Sequence, residues 1–319
     1  MFILKYRYFL LVFGMLHQQG FAQTCCSGGV PLSNNIGGLP ISLQNTWQFS
    51  LNGDLNILKT VKEGTSVLDD HARERKTFSF LFTTSYSITD KFFVEGLFSW
   101  VQQERKIDQV AGFEDWDRTR GFGDDVILIN YNYLTVGNVK LIAGLGPKIP
   151  TGPSDLKDEG GLTLNADLQP GSGAWDGVFL HRIQASDRLK PSRFYFMNFT
   201  SRFTGENKHY LGSEHYRFGN EMQLLAGVTD QFLIGSVLIS FGLNARYRFV
   251  GLDRFNGELL PNTGGSWLFL MPFMGWHITN DLVLSLNGEL PLYSNVKGTQ
   301  LSPTVRINGG VYYALSKSK

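Results

Sequence analysis

The sequence predicts an all-β fold: a transmembrane antiparallel β-barrel of about twelve strands, outer-membrane type, with N- and C-termini in the periplasm. Three observations lead there. Apolar residues recur at every second position in segment after segment, the period of a strand with one greasy face. Tight turns alternate with long charged loops, the asymmetry of barrels with short periplasmic turns and longer outer loops. No stretch offers ~18 uninterrupted apolar residues, which excludes a helical span. The nearest, Phe232 to Leu243, runs on into Arg246 and Arg248.

Composition agrees. Of 319 residues, 18% are charged, 13% are aromatic and 36 are glycine, which is aromatic-rich and charge-poor for a soluble domain. A net charge of +1 gives no case for nucleic acid or for an anionic surface. Residues 1–23 read as a secretory signal: Lys5 and Arg7 precede the apolar run Phe9 to Leu16, with a cleavage point near Ala22-Gln23. Residues 24–40 then form an N-terminal periplasmic segment, and 41–319 a single barrel domain. Cys25 and Cys26 are adjacent, so they supply no disulfide framework. They fall in what reads as a flexible mature end.

The strands follow in order. From Ile41, the residues Leu43, Trp47, Phe49 and Leu51 share a face opposite Gln44, Thr46, Gln48 and Ser50. A polar stretch runs to Lys76. Then Phe78, Phe80, Phe82, Thr84, Tyr86 and Ile88 alternate with Thr77, Ser79, Leu81 and Thr83. After the turn Thr89-Asp90-Lys91, Phe92, Val94, Gly96, Phe98 and Trp100 oppose Glu95 and Ser99. A loop from about Gln102 to Gly121 precedes Ile127, Ile129, Tyr131 and Tyr133, which oppose Leu128, Asn130 and Asn132. Past a turn near Gly137, Leu141, Ala143 and Leu145 oppose Lys140 and Lys148. The longest loop spans Pro150 to Gly173, and it either lies outside as an ordinary external loop or folds inward and narrows the lumen.

Phe179 and Ile183, opposite Arg182, lead to a turn at Asp187 to Pro191. Tyr195, Met197, Phe199 and Phe203 then oppose Asn198, Thr200 and Arg202. After a loop from Thr204 to His215, Met222, Leu224, Ala226 and Val228 oppose Glu221 and Gln223. A turn at Thr229-Asp230-Gln231 precedes a strand setting Val237, Ile239, Phe241, Leu243, Tyr247 and Phe249 against Ser240, Asn244, Arg246 and Arg248. A loop from Gly251 to Gly265 leads into the hairpin Trp267 to Tyr293, turning at Thr279-Asn280-Asp281. Its second strand sets Leu284, Leu286 and Leu290 against Ser285, Asn287 and Glu289. The last strand sets Leu301, Val305, Ile307, Val311 and Tyr313 against Thr304, Arg306 and Asn308.

The apolar faces are too many and too aromatic for one small core, so they point outward. Closing the sheet pairs every backbone donor and acceptor, which lipid demands. An Arg or Lys facing mid-bilayer lipid would cost about 2–4 kcal/mol. The charged faces therefore line the lumen, which is expected to be polar and hydrated. The lumen candidates are Glu95, Lys140, Arg182, Arg202, Glu221, Arg246, Arg248, Glu289 and Arg306, with Asn130 and Asn132. Trp100, Tyr131, Tyr133, Tyr247, Trp267, Trp276 and Tyr313 are expected in interfacial girdles. The lumen charges carry two readings, an anion-favouring lining or a mutually paired brace, and the sequence leaves both open.

Three glycine-rich motifs remain: Gly121-Phe122-Gly123-Asp124; Gly144-Leu145-Gly146-Pro147-Lys148-Ile149-Pro150-Thr151-Gly152; and Leu168-Gln169-Pro170-Gly171-Ser172-Gly173. Together they resemble the outer-membrane family named for a "MetA-pathway of phenol degradation", most sharply from Gly121 to Asp176. The resemblance implies a porin-like channel for aromatic or other apolar compounds. It singles out the loop positions Gly121, Gly123, Asp124, Pro150, Thr151, Gly152, Pro170, Gly171 and Gly173. The motif at Gly144 lacks the Gly-Lys-Ser/Thr ending of a phosphate loop.

Asp155, Asp158, Glu159 and Asp167 fit no calcium-loop spacing, and His209, Glu214 and His215 fit no metal-site spacing, so both groups read as solvated loop. His181 and His277, the histidines in strands, sit in no Ser/His/Asn pattern. The expectation is a non-enzymatic outer-membrane channel of a Gram-negative bacterium, with no cofactor and no metal. It passes small apolar or aromatic molecules passively. Its partners are outer-membrane lipids and a small-molecule permeant. A closed barrel acting through its surface loops is the alternative, and an outer-membrane lipid or ester hydrolase the second.

Overall fold

The computed structural model describes residues 45–69, 72–108 and 114–316. The signal, the segment that follows it and both cysteines lie outside these residues. The wall is a 13-stranded antiparallel sheet that closes on itself. In chain order the strands are β1 (Thr46–Gly64), β2 (Ser66–Leu68), β3 (Arg73–Ser87), β4 (Phe92–Asp108), β5 (Glu114–Phe122) and β6 (Asp125–Val136). There follow β7 (Val139–Ile149), β8 (Asp176–Ser186), β9 (Arg193–Phe203), β10 (Asn207–Tyr210), β11 (Glu214–Arg217), β12 (Glu221–Ile234) and β13 (Val237–Val250). The series ends with β14 (Arg254–Phe255), β15 (Glu258–Leu259), β16 (Gly265–His277) and β17 (Leu282–Ser316). Pairing of β1 with both β3 and β17 closes the ring, while β2 and β5 pair on one side only.

β17 is 35 residues long. At ~3.3 Å per residue such a run would be several times a ~30 Å hydrocarbon core. It folds back instead. Its first part pairs with β16 and its second with β1. The two parts also bond to each other, with Ala314 N–H donating to Asp281 O at 2.9 Å and Asn287 Nδ2 to Asn308 Oδ1 at 3.0 Å. The fold-back centres on Lys297-Gly298, where Gly298 holds φ +70, a conformation glycine adopts without strain. β5 and β6 make the converse case. Only Gly123 and Asp124 separate them, and they pair in turn with the far and near halves of β4, so they cross the wall as one broken strand. Counted by crossings, the wall has the expected number of about twelve strands.

The faces point as the alternation requires. Phe80, Phe241 and Leu286 are 42%, 45% and 49% exposed, whereas Arg246 and Arg306 are 6% and 9% exposed. Tyr131, Tyr133, Tyr247, Trp276 and Tyr313 also stand outward. One end of the barrel carries short turns; the other carries the longer loops but also, against the expected alternation, the tight fold-back at Lys297-Gly298.

Several local expectations need correction. Trp267 belongs to no girdle; it is fully buried inside the barrel, because β16 is apolar on both faces and puts Trp267, Phe269, Met271 and Phe273 inward. Leu301 is also inside, packed with Leu58 and Val61, because bulges beside Leu58 and Pro303 reset the alternation. Thr229-Asp230-Gln231 is strand: β12 continues to Ile234 and turns at Gly235-Ser236. Asp230 is held there by Lys190 Nζ at 2.6 Å, Ser192 Oγ at 2.9 Å and Arg193 from the neighbouring hairpin. The other two turns of that signature are true turns. In each, the Thr89 or Thr279 hydroxyl accepts two backbone N–H bonds within the turn. The stretches read as loops at 102–121, 204–215 and 251–265 carry strand: the end of β4 and β5, then β10 and β11, then β14 and β15.

Replacing Leu286 with Arg is expected to destabilise the barrel by about 2–4 kcal/mol, since the outward face meets mid-bilayer lipid. Denaturant-dependent folding into lipid vesicles measures this. An unchanged stability would show that Leu286 does not face lipid.

Candidate functional site

The lumen charges are joined into a chain of pairs across neighbouring strands. From β1, Asp54 accepts from Arg306 Nε at 2.7 Å; Arg306 also lies 3.8 Å from Glu289, which binds Arg246. Two residues along β13, Arg248 Nε donates to Glu221 at 2.6 Å, and Arg202 binds the same carboxylate at 3.0 Å. Asp176 lies 3.9 Å from Arg202 and 3.1 Å from Lys148, and Lys148 reaches Asp124 at 2.5 Å. Arg182 and Glu95 form a separate pair at 2.8 Å. Lys140 stands apart near the β6–β7 turn, half-buried. Asn130 is fully buried on the inner face and Asn132 is half-buried near that turn. Asp54, Lys148 and Asp176 were not among the lumen candidates; with Asp124 they give the paired groups as many carboxylates as cations, Lys140 lying outside the chain. Breaking one buried pair would leave an uncompensated charge, so the chain holds together as a unit.

The inside is not uniformly polar, contrary to expectation. Leu81, Leu97, Val126, Leu128, Val178 and Leu180 pack together across the half of the lumen formed by β3, β4, β6 and β8. On the opposite wall the inward residues of β16 form an apolar ladder, with Phe196 and Leu225 against it. Arg246 lies over the Phe269 ring at 4.8 Å and Arg248 over Trp267 at 5.4 Å, so each guanidinium has an aromatic face on one side and a carboxylate on the other. Two adjoining cavities of ≈ 20 Å³ each remain in this half. Each has room for a water molecule.

The longest loop folds into the barrel mouth. Its single 3-10 turn, Ala166–Leu168, is buried. Arg75, fully buried on β3, donates to Asp167 Oδ2 at 2.7 Å and also to Gln103 and Asp167 O. Gln103 Nε2 donates to Leu168 O at 3.1 Å and Thr119 to the same carbonyl at 2.5 Å. Asp167 is therefore a buried tether and not a solvated loop residue.

The three glycine motifs meet at the base of this plug. Asp124 accepts from Ser172 N–H at 2.9 Å, Ser172 Oγ at 2.6 Å, Gly152 N–H at 3.2 Å and Lys148. Thr151 donates to Gly123 O at 3.1 Å and accepts from Asp125 N–H at 3.1 Å. Gly171 N–H donates to Pro153 O at 2.9 Å. Gly152 and Gly171 pack backbone to backbone, leaving no room for a side chain at either. A side chain at Gly121 would meet Pro153 and Pro170, and Gly173 abuts Asn207 and Ser154. Pro150 follows directly on the end of β7.

Above the plug a 4-stranded sheet of β10, β11, β14 and β15 forms a cap. Tyr210 and Tyr216 pack on Ala166, with Phe218, Phe255 and Leu260 around them. Asp253 is buried at its base, accepting from Tyr216 Oη and Gly219 N–H, each at 2.7 Å. Burial pushes its carboxyl above the ordinary value, against the pull of those two donors.

The strand histidines divide. His181 is on the outer face, 2.7 Å from Tyr133 Oη. His277 is on the inner face near the turn end, with Nε2 2.7 Å from Ser240 Oγ. Among the described residues no acidic side chain is bonded to His277, so the pair lacks the orienting member of a triad.

No family model matches the chain, and no curated protein matches it. Solved structures do. An outer membrane channel from Pseudomonas putida F1 superposes with a TM-score of 0.64 at 13% identity, covering 89% of this chain and 99% of that one. The β domain of the Bordetella autotransporter BrkA gives 0.46 at 10% identity over 86% and 100%, and the CymD monoaromatic hydrocarbon channel gives 0.42 at 8% over 87% and 90%. The first likeness establishes the fold, an outer-membrane-type barrel.

Replacing Asp124 with Ala removes the acceptor that gathers the three motifs and should cost about 3–5 kcal/mol, the usual penalty for stripping one partner from a buried pair. Limited proteolysis should then cut within 150–175 while the barrel stays resistant. Equal resistance in both proteins would show that Asp124 does not hold the plug.

Asp253 should make the cap pH-dependent. Its folded value is raised, so its stabilising contribution is full below about pH 3.9, the unfolded value. It is lost as pH rises through the raised folded value. Amide-exchange protection at Tyr210 and Tyr216, corrected for intrinsic exchange, should fall across that window, and Asp253→Asn should flatten the profile. A profile unchanged by Asp253→Asn would assign the effect elsewhere.

Proposed function

We propose that this protein is an outer-membrane channel for passive passage of small apolar or aromatic molecules, oriented with the loop end outside the cell and the turn end in the periplasm. The observation that carries the reading is the asymmetric lumen. One half is packed with leucine and valine and closed by the plug. The other keeps two adjoining, water-sized cavities beside an apolar ladder. The plug is tied by hydrogen bonds, by the buried Arg75–Asp167 pair and by the packing of Ala166 against Tyr210 and Tyr216. The loop is thus the gate, and opening it is the conformational step passage requires.

The paired charges disfavour anion selection, because an entering anion would meet carboxylates that already neutralise each arginine. The closed-barrel alternative draws support from cavities no larger than water. Among the described residues, the Ser240–His277 contact is the feature that favours a hydrolase.

Single-channel recording in planar bilayers separates these readings. The intact protein should be mostly closed with brief openings, and a variant lacking 155–168 should stay open. Arg246→Ala should alter the conductance of the open variant. Absence of conductance in both would favour the closed barrel. Ester or lipid turnover abolished by His277→Ala would favour the hydrolase.

A further inference from the structure

The outward face of β3, β4 and β5 changes character at one level. Lys76, Glu104 and Arg118 stand side by side across the three strands. The next row toward the middle of the barrel is Phe78, Gln102 and Arg120, and the row after it is Phe80, Trp100 and Phe122. Rows on one face lie about 7 Å apart and neighbouring strands about 4.8 Å apart. Lys76, Arg118 and Arg120 therefore sit just above a wholly apolar row, where acyl chains give way to head groups. The Lys76 and Arg118 side chains are 45% and 66% exposed, and Arg120 is exposed as well. At the loop ends of β9, β12 and β13 the outward residues are Phe203, Met222 and Phe249, all apolar.

The charges at this level do not balance. Glu74 is shared by Lys59 and Lys76, at 3.2 and 3.0 Å. Glu104 lies 3.6 Å from Arg118 Nε and accepts from Gln102. Arg120, across from Gln102, has no ion pair among the described residues. Lys59, Lys76, Arg118 and Arg120 thus divide two carboxylates, Glu74 and Glu104, which leaves a surplus of positive charge. Exposed pairs of this kind contribute little, so a better-matched anion can displace them.

We infer that Lys76, Arg118 and Arg120 bind the head group of an outer-leaflet lipid that carries a phosphomonoester, its acyl chains lying down the aromatic rows below. A phosphomonoester bears about −1.5 to −2 charge, which matches the surplus; a phosphodiester offers less. Arginine grips phosphate oxygens with two parallel N–H bonds, and Arg118 and Arg120, two residues apart on one face, reach the same group. Lys76 adds a point charge beside them. Under the cations the Phe80 and Trp100 rings lie 6.3 Å apart and Phe122 is 71% exposed, a flank suited to hydrocarbon. A lipid seated there covers the outer face of β5, which pairs on one side only and holds the plug through Thr119. The choice of leaflet rests on the orientation given with the channel reading; the binding itself is independent of conduction.

Native mass spectrometry of the detergent-solubilised barrel tests this with three lipids: lipid A, whose phosphates are monoesters, the same lipid with its phosphates removed, and phosphatidylglycerol. The wild type should retain lipid A and bind the other two far more weakly. Lys76→Gln, Arg118→Gln and Arg120→Gln together should lower lipid A affinity on the order of 100-fold, about fivefold for each cation. Lys208→Gln, Arg254→Gln and Lys297→Gln remove as much charge from exposed positions elsewhere at the loop end and should leave the affinity unchanged. Heat-dependent gel mobility checks that both variants are folded barrels. Equal retention by the two triple variants, or of lipid A and its phosphate-free form by the wild type, overturns the site. Equal retention of phosphatidylglycerol overturns the phosphomonoester. An impermeant maleimide on intact cells should label Leu259→Cys, exposed on the cap, in a Cys25→Ser, Cys26→Ser background. No label there overturns the outer-leaflet placement and the orientation of the channel reading, whatever the lipid titration shows.

Discussion

A chain in hydrocarbon must pair its own backbone, and that constraint shapes the whole molecule. Closure between the second part of β17 and β1 satisfies it by closing the sheet into a ring. Closure in turn fixes the inside and outside of every strand, so the period-two alternation becomes a division between lipid and lumen.

The interior meets a second demand. Charges taken out of bulk water need partners close by. The chain from Asp54 through Arg306, Glu289 and Arg246, and from Arg248 through Glu221, Arg202, Asp176 and Lys148 to Asp124, supplies them strand by strand. Its last member also grips the plug through Ser172 and Gly152. Wall, lumen and plug are thus joined by polar contacts, with apolar packing on one side and an apolar ladder on the other.

Much of this was legible in the residues. Phe80, Phe241 and Leu286 announced the outer face because a strand's side chains strictly alternate. Arg182, Arg246 and Arg306 announced the inner face by the same rule. What was illegible arose where alternation fails or where distance intervenes. Trp267 and Phe269 lie on a strand apolar on both faces, which alternation cannot orient. Leu301 was misplaced by a bulge that no local signal marks. Asp54 was within reach, since Asn52 and Asn56 share its face. Thr229-Asp230-Gln231 copied a turn signature while β12 ran on, its carboxylate engaged by the neighbouring hairpin. The sequence left the long loop's inward and outward courses both open, because Arg75, Gln103 and Thr119, which decide it, are remote in sequence.

The division between lipid and lumen is the claim on which the rest stands, and a spin-label scan along 240–250 tests it most directly. Labels at Phe241, Leu243, Tyr247 and Phe249 should be open to oxygen dissolved in the bilayer. Labels at Ser240, Asn244, Arg246 and Arg248 should be shielded from it, giving a two-residue period. Oxygen access at Asn244 and Arg246 with protection at Phe241 and Leu243 would invert the barrel and contradict the account.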